Sequence, residues 1–149
     1  INVLFEYEPL TKYIFPGMYA LFKVLMKKKL KALFHLNEEG KWAVVLLNVS
    51  NFLKDIGEDN GDVVIIANGS AVIAYAGSEG YIGSERLKTM NELSKKGVKF
   101  LACRNAINEM CSEGFCIEAD ALPSFVETIP VGITEIIKRQ HSSYAYVKP

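Results

Sequence analysis

Three cysteines are the most chemically capable residues in this 149-residue chain: Cys103, Cys111 and Cys116. Cys103 follows the apolar run VKFLA and precedes Arg104 and Asn105, so it falls where a strand gives way to a helix. A thiol there faces unpaired backbone N–H groups and the positive end of the helix dipole, which favour the thiolate over a thiol of ordinary pKa, about 8.5. Arg104 supplies a neighbouring cation and Asn105 an amide able to donate to a sulfur anion. The bland alternative is a small buried cysteine closing a strand, a common fate for free cysteine. Cys111 and Cys116 have four residues between them and no nearby histidine. They read either as partners that resolve a persulfide or disulfide on Cys103 or as incidental loop thiols. With no CxxC pair the set does not make a zinc site, so no metal is expected.

The remaining candidates are polar residues beside apolar runs. His35 lies in LKALFHL and suits a proton carrier, with an unperturbed pKa of about 6.5, or a hydrogen-bonded structural histidine. Asn68-Gly69-Ser70 opens a short helix whose backbone amides could hold an anion. There is no GxGxxG and no Walker lysine, so nucleotide binding is not expected and no cofactor is required.

These residues need elements to position them, and the pattern supplies them. Leu30–Leu36 and Asp62–Asn68 (DVVIIAN) are apolar, strand-like runs. Between them, Trp42, Val45, Leu46, Val49, Phe52, Leu53 and Ile56 recur at helical spacing, with Asn37 placed as the N-cap and Gly57 as the stop. A short apolar helix over Ala71–Ala76 and an amphipathic one over Ser84–Lys96 lead to a third strand, Val98–Ala102. A helical turn over Arg104–Cys111 follows. Val126–Val131, a helix over Gly132–Gln140 with Ile133, Ile136 and Ile137 on one face, and a last strand at Ala145–Val147 complete the chain. Alternating strands and helices imply a single α/β domain with a five-stranded, mostly parallel sheet and helices on both faces. In such sheets the site lies outside the carboxyl ends of the strands. Those ends carry His35, Asn68 with Gly69, Cys103 with Arg104 and Asn105, and Pro130 with Gly132.

Composition narrows the function further. Half the residues are hydrophobic, and 17 basic residues balance 17 acidic ones. That leaves no overall basic excess for direct nucleic-acid binding. The only basic run, Lys27-Lys28-Lys29 with Lys31, reads as a solvated strand entry. A chain of this length buries roughly 68–70% of its unfolded surface without needing disulfides. An odd, small number of cysteines argues against a disulfide framework and suits a reducing cytosol. Residues 1–28 form an extension ahead of the domain at 29–149. The extension is apolar from Tyr13 to Met26 but interrupted by Pro16, Gly17 and Lys23, so it fits neither a membrane span nor a signal peptide. It reads as a helix docking on the domain or on a partner subunit, or as sequence upstream of a start at Met26. Together with residues 71–76 it offers apolar surface beyond what one small sheet covers, pointing to subunit assembly.

The segments KALFHLNEE, LLNVSNFL, VVIIANGSAV, KKGVKFLACRNAI and VETIPVGITEIIKRQHSSYAYVKP together resemble the DsrE/DsrF-like (YchN-like) family over about residues 30–149. The resemblance implies a flavodoxin-like sheet and assembly as homotrimers or homohexamers. It also implies sulfur-relay activity, in which a cysteine at the position of Cys103 takes a persulfide from a donor protein and passes it to an acceptor. The expected activity is thus a sulfur carrier or sulfurtransferase. The alternatives are a non-catalytic small-ligand-binding or scaffold protein of the same fold, and a thiol redox sensor using Cys103 with Cys111 or Cys116.

Overall fold

The computed structural model describes residues 28–76, 81–118 and 121–149, with Met18. The expected N-terminal extension otherwise lies outside the described residues. Five strands form one sheet: β1 (Leu30–Leu36), β2 (Gly61–Ala67), β3 (Lys99–Cys103), β4 (Val126–Ile129) and β5 (Ala145–Val147), in the order β4-β3-β2-β1-β5. Every pairing is parallel. The connecting helices are α1 (Trp42–Ile56), α2 (Tyr81–Lys95), α3 (Arg104–Ser112) and α4 (Gly132–His141), and a 3-10 helix spans Gly69–Ala76. Among the described residues, no helix is long and apolar enough to cross a membrane.

The sheet alternates its side chains between two unequal layers. Ala32, Phe34 and Leu36 of β1, Val63, Ile65 and Ala67 of β2, and Phe100 and Ala102 of β3 point into the larger core, with α1, α2, α3 and the 3-10 helix. Leu33, Val64, Ile66, Leu101 and Ile129 point the other way, against Ile136 of α4 and Tyr144. The uneven split follows from right-handed crossovers. The steps β1 to β2 to β3 to β4 advance across the sheet in one direction and put three helices on one face. The return from β4 to β5 runs backwards and carries α4 to the other.

Several expectations change at this level. Asn37 does not cap α1, which starts at Trp42 after a 3-10 turn over Glu39–Lys41 and has no side-chain cap. Its place in the chain is instead filled by close backbone packing: a Cβ on Gly69, at φ +51°, would lie 2.7 Å from the Asn37 carbonyl oxygen. Only glycine fits both that conformation and that contact. Residues 71–76 do not offer surface for assembly. Ala71, Val72, Ala74 and Tyr75 are buried in the main core, where Tyr75 meets Trp42 edge to face at 5.2 Å. The Tyr75 hydroxyl is buried without a hydrogen-bond partner, and burial pushes its phenol well above the ordinary tyrosine range. Exposed apolar side chains sit elsewhere, among them Val44 and Leu47 on α1 and two isoleucines on α4. Of its three isoleucines only Ile136 is buried, while Ile133 and Ile137 are 58% and 51% exposed.

Candidate functional site

The sequence places a thiol at the end of β3, and the crossover pattern makes that position distinctive. From β3 the chain turns into α3 on one face; from the neighbouring β4 it turns into α4 on the other. Adjacent strands whose connections diverge leave a crevice at their carboxyl ends, the switch point where ligands bind in open α/β sheets. Cys103 stands on one side of it and Gly132 on the other, with Cys103 paired to Ile129 in the ladder.

Two helix N-termini converge on the sulfur. Cys103 is the N-cap residue of α3, in extended conformation, but its side chain does not cap that helix. Instead Sγ accepts a hydrogen bond from the backbone N–H of Gly132, the first residue of α4, at 3.3 Å. No side chain caps α4 either. The contact is possible because residue 132 lacks a side chain. A Cβ there would lie 3.3 Å from Cys103 Cβ, 3.6 Å from Sγ and 3.6 Å from Asn68 Cβ, filling the gap between these residues. A backbone donor at a helix N-terminus favours negative charge at Sγ. The thiol is nevertheless 5% exposed, close to sealed.

Beside it runs a second polar chain, built from β1, β5 and the residue after β2. Tyr146 donates its hydroxyl to His35 Nδ1 at 2.7 Å, and His35 Nε2 lies 3.0 Å from Asn68 Oδ1. The amide oxygen can only accept, so Nε2 carries the proton and Nδ1 receives the tyrosine hydroxyl. This arrangement suits the neutral imidazole that burial favours, and it ties Asn68, at the edge of Gly132, to the far edge of the sheet. Burial holds His35 below its usual pKa; the Asn68 hydrogen bond opposes this, and the charge of Lys148 adds to it.

A pH prediction follows from that direction. Between the folded pKa and the unfolded value of about 6.5 the unfolded chain binds the extra proton, so this contribution to stability is complete above about 6.5 and is lost as pH falls. Thermal melts of wild type and His35→Gln between pH 7.5 and 5 should show a steeper acid loss in wild type. Parallel curves would remove His35 from this role.

The other expected site residues are placed differently. The Arg104 guanidinium donates to Thr128 Oγ1 at 3.1 Å on β4, so it is engaged along the sheet edge and not at the thiol. Asn105 is exposed and has no hydrogen bond to sulfur. The donor that meets the sulfur is instead the Gly132 backbone N–H. Of the backbone donors expected at Asn68 and Gly69, the Asn68 N–H is bonded to the Leu36 carbonyl at 2.9 Å and so does not point to the cleft. Cys111 and Cys116 are joined in a disulfide, against the expectation of incidental thiols in a chain without disulfides. They sit at the far end of α3 from Cys103. Eight helical steps of 1.5 Å separate Cys103 from Cys111 by about 12 Å, whereas a disulfide needs Cα atoms within about 7 Å. The structure therefore does not bring them to Cys103.

Two contributors were not singled out for chemistry. Gly132 was legible as a glycine ending a strand but not as a donor, because only the crossover brings it to β3. Tyr146 carried no signal beyond being polar at the tip of the final strand. Two surface grooves lie elsewhere, one lined by Leu46, Leu47, Ser50, Arg86 and Thr89 between α1 and α2, the other by Leu87, Asn91 and Phe125. Among the described residues, no three His, Cys, Asp or Glu side chains cluster to hold a metal ion.

No family model matches the chain, and no curated protein matches it. Among solved structures it is similar to a protein of unknown function from Methanobacterium thermoautotrophicum, at 24% identity with a TM-score of 0.65, over 81% of this chain and 100% of that one. At that identity the likeness shows the fold, a five-stranded parallel α/β sheet, and nothing of the chemistry.

Proposed function

We propose that this chain is a sulfur carrier, a sulfurtransferase that holds a persulfide on Cys103 within an intracellular, cytoplasmic relay of the DsrE/DsrF-like kind. The observation that supports the reading is the Gly132 N–H donated to Cys103 Sγ where two helix N-termini meet. In the reaction, the Cys103 thiolate attacks the outer sulfur of a donor persulfide. The sulfane S–S bond breaks, the donor leaves as a thiolate that takes up a proton, and Cys103–S–S⁻ remains. An acceptor thiolate then attacks the outer sulfur and regenerates the Cys103 thiolate. No cofactor or metal takes part. The partners are donor and acceptor proteins and further copies of this chain in a trimer or hexamer, with no direct nucleic-acid contact. Ile133 and Ile137 of α4, both more than half exposed among the described residues, favour such assembly, which native mass measurement tests.

Incubating the protein with a sulfane-sulfur donor should add roughly 32 Da, one sulfur atom, to the intact mass, and Cys103→Ser should add none. An adduct missing from wild type, or retained in Cys103→Ser, overturns the proposal. The near-complete burial of Cys103 favours a second reading, a scaffold or ligand-binding protein of the same fold without turnover. That reading expects no adduct and negligible alkylation of Cys103 in the folded protein.

A further inference from the structure

The Cys111–Cys116 disulfide joins two exposed residues, one in the last turn of α3 and one just beyond it. The backbone holds the two cysteines together by itself. Phe115 N–H bonds to the Met110 carbonyl at 2.8 Å and Gly114 N–H to the Cys111 carbonyl at 3.1 Å, with Gly114 at φ +97°. This is the Schellman closure of a helix end, in which a left-handed glycine turns the chain back over the last carbonyls. The residues flanking the pair, Met110 before it and Ile117 after it, are both buried in the main core. The turn is thus fixed at both ends and within itself without the S–S bond. A covalent link that adds so little to a preformed turn is poorly placed as a staple and well placed for exchange. The reduced form also has a place to rest, since Cys116 Sγ lies 3.6 Å from the Cys111 carbonyl oxygen, an acceptor for its S–H.

The surroundings select the exchange partner. Glu109, Glu113 and Glu118 are all exposed near the pair in sequence, and none forms a salt bridge among the described residues. Attack on a disulfide is made by a thiolate, an anion that this local field repels unless its carrier brings positive charge. Phe115, 58% exposed between the two cysteines, adds an apolar contact for a docking surface.

We infer that Cys111–Cys116 is a redox-active pair that exchanges with thiols carried on a positively charged reductant. A thiolate attacks one sulfur, the S–S bond breaks, and the other cysteine leaves as a thiolate and takes up a proton. A second thiolate attacks the mixed disulfide, frees the first cysteine, and releases the oxidised reductant as a disulfide. Two electrons and two protons pass to the pair. The reaction is independent of Cys103, which α3 holds at its opposite end.

The test reduces the folded protein without denaturant, using cysteamine, mercaptoethanol and mercaptopropionate at equal thiolate concentration. Trapping with N-ethylmaleimide and peptide mapping then read the state of each cysteine. Reduction of Cys111 and Cys116 should run fastest with the cationic thiol and slowest with the anionic one. The span should be roughly tenfold or more at low salt and should collapse in 1 M salt. A flat or reversed order overturns the selection for positive charge, and resistance of the folded protein to all three thiols overturns the exchange site. The double variant Cys111→Ser with Cys116→Ser should keep its fold, with Tm lowered by less than about 10 °C. Loss of fold in that variant makes the disulfide a staple and overturns the inference. Cys103→Ser should leave all these rates unchanged, which separates a failure here from a failure of the persulfide reading.

Discussion

Gly132→Pro should slow both alkylation and persulfide loading of Cys103 by about tenfold or more relative to Gly132→Ala. The comparison tests the N–H that points at Sγ, by replacing it with a ring carbon in one variant and keeping it in the other. Both variants add a Cβ at 3.3 Å from Cys103 Cβ, and that crowding is common to the pair. Only proline removes the N–H that Sγ accepts at 3.3 Å. The helix itself accepts proline, because residue 132 is the first of α4, a position proline favours, although the ring Cδ takes the place of the hydrogen aimed at Sγ and crowds the sulfur as well. The preceding Val131, at φ −136° and ψ 115°, already has the extended conformation that proline imposes on its predecessor. The helix should therefore survive, as far-ultraviolet circular dichroism would verify. A hydrogen bond to a charged acceptor contributes about 1.5–3 kcal/mol, which spans roughly 10- to 150-fold in the population of the anion. Equal rates in the two variants would mean that the amide does not stabilise the reacting sulfur. Rates in Gly132→Ala far below wild type would show that access through the gap between Cys103 and Asn68 limits the chemistry.

The fold was readable from pattern because its elements are strongly periodic. The runs at 30–36, 62–68 and 98–102 and the α1 stripe from Trp42 to Leu53 appear within a residue or two of expectation. What local pattern could not give was which face each element covers. Ile133, Ile136 and Ile137 look alike on a helical wheel, yet among the described residues α4 crosses its face of the sheet without a neighbouring helix, so a wide stripe finds only a narrow contact. For the site, Cys103 could be singled out from its own flanks, since a strand-to-helix junction is local. Its partner could not. Gly132 lies 29 residues downstream and meets the thiol only because β3 and β4 are adjacent while their helices diverge. Arg104 and Asn105 failed as partners for a related reason: adjacency along a chain entering a helix sends side chains outward, away from the preceding residue's sulfur. The cysteine pair was misread because counting cysteines says nothing of a Schellman turn that brings two of them together.

Trp42 ties the core to the site, and its replacement should have the largest effect on stability. The side chain is fully buried, stacks with Phe100 at 6.3 Å, meets Tyr75 at 5.2 Å, and donates Nε1–H to the Ala71 carbonyl at 2.9 Å. Trp42→Ala removes the apolar surface, the aromatic contacts and the donor together, and opens a cavity between α1 and the sheet. The expected cost is about 3–5 kcal/mol, a large share of the roughly 5–15 kcal/mol available to a domain. At this size Tm should fall by about 10 °C or more. Trp42→Phe keeps most of the ring but strands the Ala71 carbonyl, at a cost of about 1–3 kcal/mol. The second variant carries the sharper consequence. Ala71 belongs to the 3-10 helix that begins at Gly69, and the Ala71 N–H bonds to the Asn68 carbonyl at 3.2 Å. Releasing that turn loosens Asn68, which borders the gap beside Cys103 and accepts the His35 hydrogen bond. Trp42→Phe should therefore raise the alkylation rate of Cys103 at a temperature well below its melt, whereas a core substitution on α2 in the same layer, such as Met90→Ala, which has no bond to the turn at Ala71, should not. An unchanged rate in Trp42→Phe would mean that the strand-end turn is held by the backbone alone and that the thiol's enclosure does not depend on this core.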